Sequence, residues 1–382
     1  MSEWKKVKLG EICERVTSGG TPKANVSSYY NPPTIPWLKT KEVNYCRITE
    51  TENYISEEGL KNSSAKLISP NSVIIAMYGQ GDTAGRVAIN KIPLATNQAC
   101  CNLTIDKNKA DYEFIYYQLC TLYDKLVSLK AGAAQPNLNA RIIKNLEIIM
   151  PSLPIQHRIA SILSRYDSLI ENYQKQIKLL GEAAQRLYKE WFIDLHFPGH
   201  ENTNIIDGVP EGWEKKKVGD ITPIITGKKD ANFGTPDGEY PFFTCSQEPI
   251  KAPSFSFDCA AVLLAGNGDF NVKLYRGRFE AYQRTYVLSP YIDSHLYLLF
   301  YTISANMTKL AAGSSGSTIK FLTKGMIDGI NLNVPNDEIL RSFNKKVEPI
   351  QSSRESLQSQ LRLLTEARDR LLPKLMSGEI TI

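Results

Sequence analysis

A chain of 382 residues with 45 lysines and arginines against 40 aspartates and glutamates carries a formal charge of +5 and a pI near 8.6. That length suffices for two domains with a substantial core, and the mild basic excess admits nucleic acid as a partner without requiring it. No apolar run reaches membrane-spanning length and the start MSEWKKVKLG lacks the apolar stretch of a signal peptide, so a cytoplasmic protein without membrane contact is expected.

The chain opens with Trp4, the step Leu9-Gly10-Glu11-Ile12 and then Val16-Thr17. The next segment, SSYYNPPTIPW from Ser27 to Trp37, contains an Asn-Pro-Pro step. Followed by an aromatic ring, Asn-Pro-Pro is the adenine-holding signature of DNA adenine-N6 methyltransferases, where the ring stacks on a flipped base. Here the fourth residue is Thr34, which has no stacking face, and Trp37 comes only after Pro36. The segment reads instead as a Pro-rich extended or turn stretch leading into a strand around Trp37. A methyltransferase would also need a glycine-rich turn between strand and helix to hold S-adenosylmethionine. Gly79-Gln80-Gly81 and Gly266-Asn267-Gly268 lack the helical pattern that should follow.

The seven cysteines contain no CxxC, only the neighbours Cys100-Cys101, and reduced, mostly buried thiols are expected. His196 and His200 in HFPGH have the spacing of a zinc pair, but Pro198 and Gly199 break the helix that would aim both rings together, and a linker turn is expected. With four histidines and no GxSxG elbow, no catalytic, cofactor-binding or metal-ligating residues are assigned.

Internal similarity organises the chain. Trp4, the Leu9–Ile12 step and Val16-Thr17 recur at Trp213, Val218-Gly219-Asp220-Ile221 and Ile225-Thr226, each 209 residues on. Gly79, Gly81 and Asp82 match Gly266, Gly268 and Asp269 at 187. Gly132, Leu138 and Pro154 match Gly313, Ile319 and Pro335 at 181. The order holds while the offset shrinks by 28, so the second copy lacks loops or elements of the first.

Each copy ends in a strand-like run, a Pro and a long helical pattern. After Pro154 the stripe includes Ile159, Ile162, Tyr166, Leu169, Tyr173, Leu180 and Leu187; after Pro335 it includes Val347, Ile350, Leu357, Leu361, Leu364 and Leu371. The alternating steps of three and four are those of a coiled-coil seam, with Pro349 expected to kink the second helix or delay its start. Runs near 40 residues span about 55–60 Å at 1.5 Å per residue. That exceeds a domain of about 150 residues, so most of each stripe should meet the other copy's helix. The expected architecture is α+β: two similar globular domains (1–153 and 198–334) separated by a pair of long antiparallel coiled-coil helices (154–197 and 335–382), related by a pseudo-two-fold internal repeat.

These features together resemble the specificity subunit of type I restriction-modification systems over nearly the whole chain. The doubled Trp and Leu-Gly-Glu-Ile or Val-Gly-Asp-Ile openings, the Leu153-Pro154-Ile155-Gln156-His157-Arg158-Ile159 start of the first helix, and the tail Arg370-Leu371-Leu372-Pro373-Lys374-Leu375-Met376-Ser377-Gly378-Glu379-Ile380 carry the resemblance. The second helix opens Val334-Pro335-Asn336-Asp337-Glu338-Ile339, without the Gln of the first. The resemblance implies two target-recognition domains on double-stranded DNA, no catalysis, and docking to methyltransferase subunits and through them to restriction/motor subunits. It also places the Asn-Pro-Pro-aromatic chemistry in a partner. A coiled-coil adaptor that never meets DNA, or a stand-alone adenine methyltransferase, are the competing readings.

Two copies that differ in length and in most loop side chains should read unlike halves of an asymmetric bipartite site. Arg pairs with guanine and Asn or Gln with adenine in the major groove. The candidates in the first domain are Lys39, Lys41, Gln80, Arg86, Asn97, Gln98, Gln135 and Asn137. In the second they are Lys228, Lys229, Asn267, Lys273, Arg276, Arg278, Gln283, Arg284 and Lys320. Residues common to both copies, such as the Gln shared by Gln98 and Gln283, should serve the scaffold, and unshared ones the sequence read.

Overall fold

The structure is a computed structural model that describes residues 4–131, 137–314, 320–380 and 382. Its chain divides into two compact units, Met1–Asn172 with Gln360–Ile382, and Tyr173–Ser359.

In the first unit, strand Lys5–Lys8 pairs antiparallel with Glu147–Met150. The step Leu9–Ile12 then forms one tight turn that buries Leu9 and Ile12. Glu11 accepts from the Lys8 N–H at 3.3 Å, and the Leu9 N–H donates to the Leu146 carbonyl at 2.9 Å. A five-stranded sheet follows in the order Cys13–Ser18, Cys100–Ile105, Val73–Ala76, Val87–Asn90, Cys46–Ile48, beside a four-stranded sheet that contains Ile35–Leu38 and Leu94–Thr96. Val73–Ala76 and Val87–Asn90 are buried along their whole length, which explains their apolar sequence, broken only by Asn90, whose side chain accepts from the Ser72 N–H at 2.9 Å. Asp111 caps helix Tyr112–Cys120 by accepting from the Glu113 and Phe114 N–H groups, both at 2.9 Å. The helix buries Phe114 and Tyr117 in the same core as Val73, Ile75, Val87 and Ile89.

The second unit repeats the plan. Strand Glu214–Lys217 pairs with Asn331–Val334, Asp220 accepts from the Lys217 N–H at 2.7 Å, and the Val218 N–H donates to the Ile330 carbonyl at 2.9 Å. A six-stranded sheet runs Ile224–Thr226, Thr285–Leu288, Phe257–Ala265, Val272–Ala281, Tyr240–Phe243, Ile250–Ala252, and shares a core with helix Leu296–Gly313.

The repeat also corrects the third sequence match. Strand Glu147–Met150 corresponds to Asn331–Val334, and the cap Asn139, on the Ile142 N–H, to Thr323, on the Met326 N–H; both offsets are 184. Leu138 donates to the Met77 carbonyl and Leu322 to that of Gly266. Leu138 therefore corresponds to Leu322 and Pro335 to Pro151, three residues from the sequence alignment. The second copy is shorter by 25 residues rather than 28. Two prolines three residues apart, Pro151 and Pro154, offered the sequence alternative registers that only strand pairing separates. Gly132 and Ile319 lie outside the described residues.

The long helices span Leu153–Tyr188, continued by a π turn Lys189–Ile193, and Asp337–Ser377. Pro154 sits in a first turn, where its missing N–H costs little. The second helix passes through Pro349 without interruption and starts on time at Asp337, contrary to the expected break. Pro349 is exposed, while Val347 and Gln351 on either side are buried and hold the packed face in place. In the second unit the site of a Gly181 Cβ lies 3.5 Å from the Arg354 guanidinium, and Phe192 packs on Phe343 at 4.8 Å. An advance of eleven residues on one helix thus matches a retreat of eleven on the other, which makes the segments antiparallel.

Of the seam residues, Ile159 and Val347 are buried, and Ile162, Tyr166, Tyr173, Leu180, Leu187, Ile350, Leu357, Leu361, Leu364 and Leu371 are half-buried. Leu169 departs from the expected stripe: it is 45 % exposed while Asp167 and Ile170 are buried. In the first unit this helix also packs Ile159, Ala160 and Leu163 into the head core, which rotates its buried face by one residue.

HFPGH is a turn: Phe197 is buried against Trp213 at 4.7 Å, Gly199 has a φ of 86°, and the His200 Nδ1 lies 2.9 Å from the Phe197 carbonyl. Among the described residues no group of three His, Cys, Asp or Glu side chains could hold a metal ion, and no helix is long and apolar enough to cross a membrane. All seven cysteines are free; Cys100 and Cys101 are buried and the other five half-buried. Burial pushes the thiols of Cys13, Cys101 and Cys120 up to about 12, so they stay protonated.

Candidate nucleic-acid interface

In each unit, sheet ends gather polar loops at one edge of the head. In the first, the Asn97 N–H donates to the Leu38 carbonyl at 2.9 Å, the Trp37 indole to the Gly20 carbonyl at 3.1 Å, and a Cβ on Gly79 would sit 3.5 Å from the Thr40 hydroxyl. Leu138 joins through Met77. These links bring together the loops of Lys39 and Lys41, Gln80 and Arg86, Asn97 and Gln98, and Asn137. Gln135 lies outside the described residues.

The cations here are not equally free. Lys39 donates to Asn53 at 2.9 Å, Lys41 pairs with Glu52, and Arg86 bridges Asn44 at 3.0 Å and Asp82 at 2.6 Å. The Asp82 bond raises the Arg86 pKa, so its charge is fixed. The Asn97 side chain accepts from the Cys100 thiol at 3.3 Å, whereas Gln80 and Asn137 are exposed.

In the second unit the Gln283 N–H donates to the Lys229 carbonyl, the Gly266 N–H to the Arg284 carbonyl, and Asn267 bridges to Phe321. Loops carrying Lys228, Lys229, Asn267, Gln283, Arg284 and Lys320 therefore converge, together with Lys273 at the start of the strand Val272–Ala281. Lys229 lies 4.4 Å over the Phe233 ring, Asn267 accepts from the Cys245 thiol at 2.8 Å, and Lys273 donates to the Ser246 carbonyl at 2.7 Å, with burial lowering its pKa. Lys228, Arg284 and Lys320 are exposed.

Arg276 and Arg278 stand apart from this cluster on the Val272–Ala281 strand. Arg276 lies 5.2 Å over the Tyr297 ring, and Arg278 pairs with Asp258 at 3.1 Å beside Phe255. At about 3.4 Å per residue, Arg278 is some five residues of extended chain from Lys273.

Gln98 and Gln283 are equivalent in the fold. Strand Ile35–Leu38 runs parallel to Leu94–Thr96 as Tyr240–Phe243 does to the end of Val272–Ala281, and the shared Gln follows by the same step. Gln98 accepts from the Thr21 hydroxyl and Gln283 donates to Asp230 at 2.7 Å, and Thr21 and Asp230 are themselves 209 residues apart. The same clamp closes the same loop in both heads.

The sequence missed the segment Thr244–Glu248, which occupies in the second head the place of the Lys39 loop. Its Ser246 carbonyl meets Lys273, and its Gln247 donates to Asp269 at 2.6 Å. It carries no Trp or Gly match to the first copy, so nothing in the alignment marked it. The two glycine pieces are loops between antiparallel strands, Val73–Ala76 with Val87–Asn90 and Phe257–Ala265 with Val272–Ala281, not strand-to-helix turns.

A duplicated α+β head with long helices and an edge of polar, cationic loops defines a two-headed recognition protein. The model of the type I restriction modification DNA specificity domain matches residues 1–180 and 210–353, and the chain belongs to that family. Across its whole length it is 28 % identical to 94 % of the MjaIX specificity subunit of Methanocaldococcus jannaschii. Over 45 % of its length it is 36 % identical to 40 % of the EcoDI specificity subunit of Escherichia coli. The crystal structure of a type I restriction-modification S subunit from M. genitalium superposes with a TM-score of 0.69 at 18 % identity, covering 98 % of this chain and 96 % of that one, and shares its fold. As a specificity subunit the chain is a recognition component rather than an enzyme.

Proposed function

We propose that the chain reads an asymmetric, two-part target in double-stranded DNA, each head taking one half and leaving the bases between unread. In this reading the spacer helices fix the separation of the halves. They also dock methyltransferase subunits, which supply the adenine chemistry, and through them the restriction/motor subunits. The observation that carries it is that the heads share their scaffold yet differ in the loops it presents. Paired strands, the capped turn and the Gln clamp repeat. Lys39, Gln80 and Arg86 stand at one edge, whereas Ser246, Asn267 and Arg284 stand at the other. Phosphate contacts from lysines such as Lys228 position the duplex, and amides and guanidinium groups read base edges.

Footprinting of the chain assembled with its methyltransferase subunits on methylatable DNA tests this. Two protected patches flanking an accessible spacer are expected. One continuous patch, or no protection in a complex shown to be assembled, would contradict it.

A further inference from the structure

In the second unit a cavity of about 230 Å³ opens between the two long helices and helix Leu296–Gly313, lined by Gly181, Gln185, Phe300, Ser304, Met307 and Arg354 among others. Arg354 donates one Nη to the Gln351 Oε1 at 2.9 Å, while its buried Nε has no hydrogen-bond partner. Among the described residues no carboxylate pairs with this guanidinium. A cation held in a partly enclosed space without a counter-charge is costly, so the arrangement calls for an anion.

The corresponding place in the first unit shows that the cavity is built rather than inherited. At the offset of 184, Arg354 corresponds to Ile170, which is buried, and Gly181 to Thr365. Replacing Thr by Gly and Ile by Arg opens the space and places a planar fork of donors in it. In the first unit the arginine near this level, Arg368, is paired with Asp167 at 2.9 Å. The space holds several times the roughly 30 Å³ that a water takes in the liquid, and Phe300 and Met307 offer apolar wall.

We propose that this cavity binds a carboxylate on a short apolar stem, the two oxygens taking the Nη1 and Nη2 side of the Arg354 guanidinium, Gln185 lying beside them and the stem against Phe300 and Met307. Guanidinium and carboxylate match in this bidentate geometry. The carboxylate belongs either to a small organic acid or to an acidic side chain of a docked protein.

The test is thermal unfolding of the full chain in increasing sodium propionate against sodium chloride at equal ionic strength, with sodium phosphate as a third series. Propionate is expected to raise Tm in a saturable manner in the wild type and not in Arg354→Met, whose comparison removes general salt effects on burial. Arg354→Lys, which keeps the charge but loses the fork, should give a weaker rise and serves if the Met variant does not fold. Mass spectrometry of an acid extract of the purified chain separates the sources: a co-purifying small acid assigns the first, and its absence alongside a propionate response assigns the second. No propionate response beyond chloride, an equal response in Arg354→Met, or a response to phosphate alone would overturn the proposal.

Discussion

The Tyr117 hydroxyl donates to Asp167 Oδ2 at 2.5 Å, joining the capped helix of the first head to the first long helix. Arg368 of the second long helix takes the other oxygen at 2.9 Å, and Arg47 lies 3.6 Å from Asp167 and 3.3 Å from Glu171. At the offset of 184 the second unit places Tyr301 and Gln351, whose amide donates to the Tyr301 hydroxyl at 2.5 Å. Both heads thus fasten a Tyr to a buried polar residue of their own helix, once through a carboxylate and once through an amide. Burial opposes the Arg47 charge, yet Tyr117, Asp167, Glu113 and Glu171 together hold its pKa above the usual range.

Asp167→Ala leaves Arg47 and Arg368 short of a counter-charge in a buried setting. A loss of about 3–5 kcal/mol in stability is expected, read by urea unfolding. Combining it with Arg47→Met and Arg368→Met should recover much of the loss, because buried ion pairs replaced by apolar groups are often neutral.

In the proposed reading the Gln clamp serves the scaffold. Gln283→Leu should cost about 1 kcal/mol and leave the methylated sequence motif unchanged, as mapped in cells carrying the variant. A changed motif would make Gln283 a base reader.

Arg284 is exposed, and among the described residues its guanidinium makes no hydrogen bond or carboxylate ion pair. Arg284→Ala should relax one position of one half-site by about 1–3 kcal/mol, seen as added bases in that half of the methylated motif. Lys228→Ala should leave the motif intact and reduce the slope of log affinity against log salt by about 0.9, one phosphate contact.

His295 is buried, and burial together with Lys216 holds its pKa below the ordinary 6.5 while Asp337 opposes them. The unfolded chain takes up this proton at a higher pH than the folded one. The unfolded state therefore binds more protons in that window, and stability falls as pH drops below about 6.5. His295→Gln should flatten the decline in Tm between about pH 7 and pH 5.5; an unchanged decline would assign it to carboxylates instead.

Much of the architecture was legible because it repeats. The Leu9–Ile12 and Val218–Ile221 steps each need an acidic residue to cap a turn, and the long stripes need a partner longer than a head. Register was not legible. The choice between Pro151 and Pro154, and the rotation that buries Asp167 and Ile170 while exposing Leu169, depend on strand pairing and head packing that periodicity does not encode. At the candidate interface, loop composition picked out side chains most of which converge on one edge of each head, but could not tell free cations from Lys41 or Arg278, whose acidic partners come from other loops and strands. Nor could it find Thr244–Glu248, which matches the first copy in position only.

In the proposed function two unlike readers act on one split site. The sharpest check is methylome sequencing of cells with and without this chain, in the presence of the proposed methyltransferase partner. An asymmetric adenine-methylated motif, two specified halves around a gap of constant length, is expected to disappear with the chain. An unchanged methylome, or loss of a single contiguous motif, would contradict it.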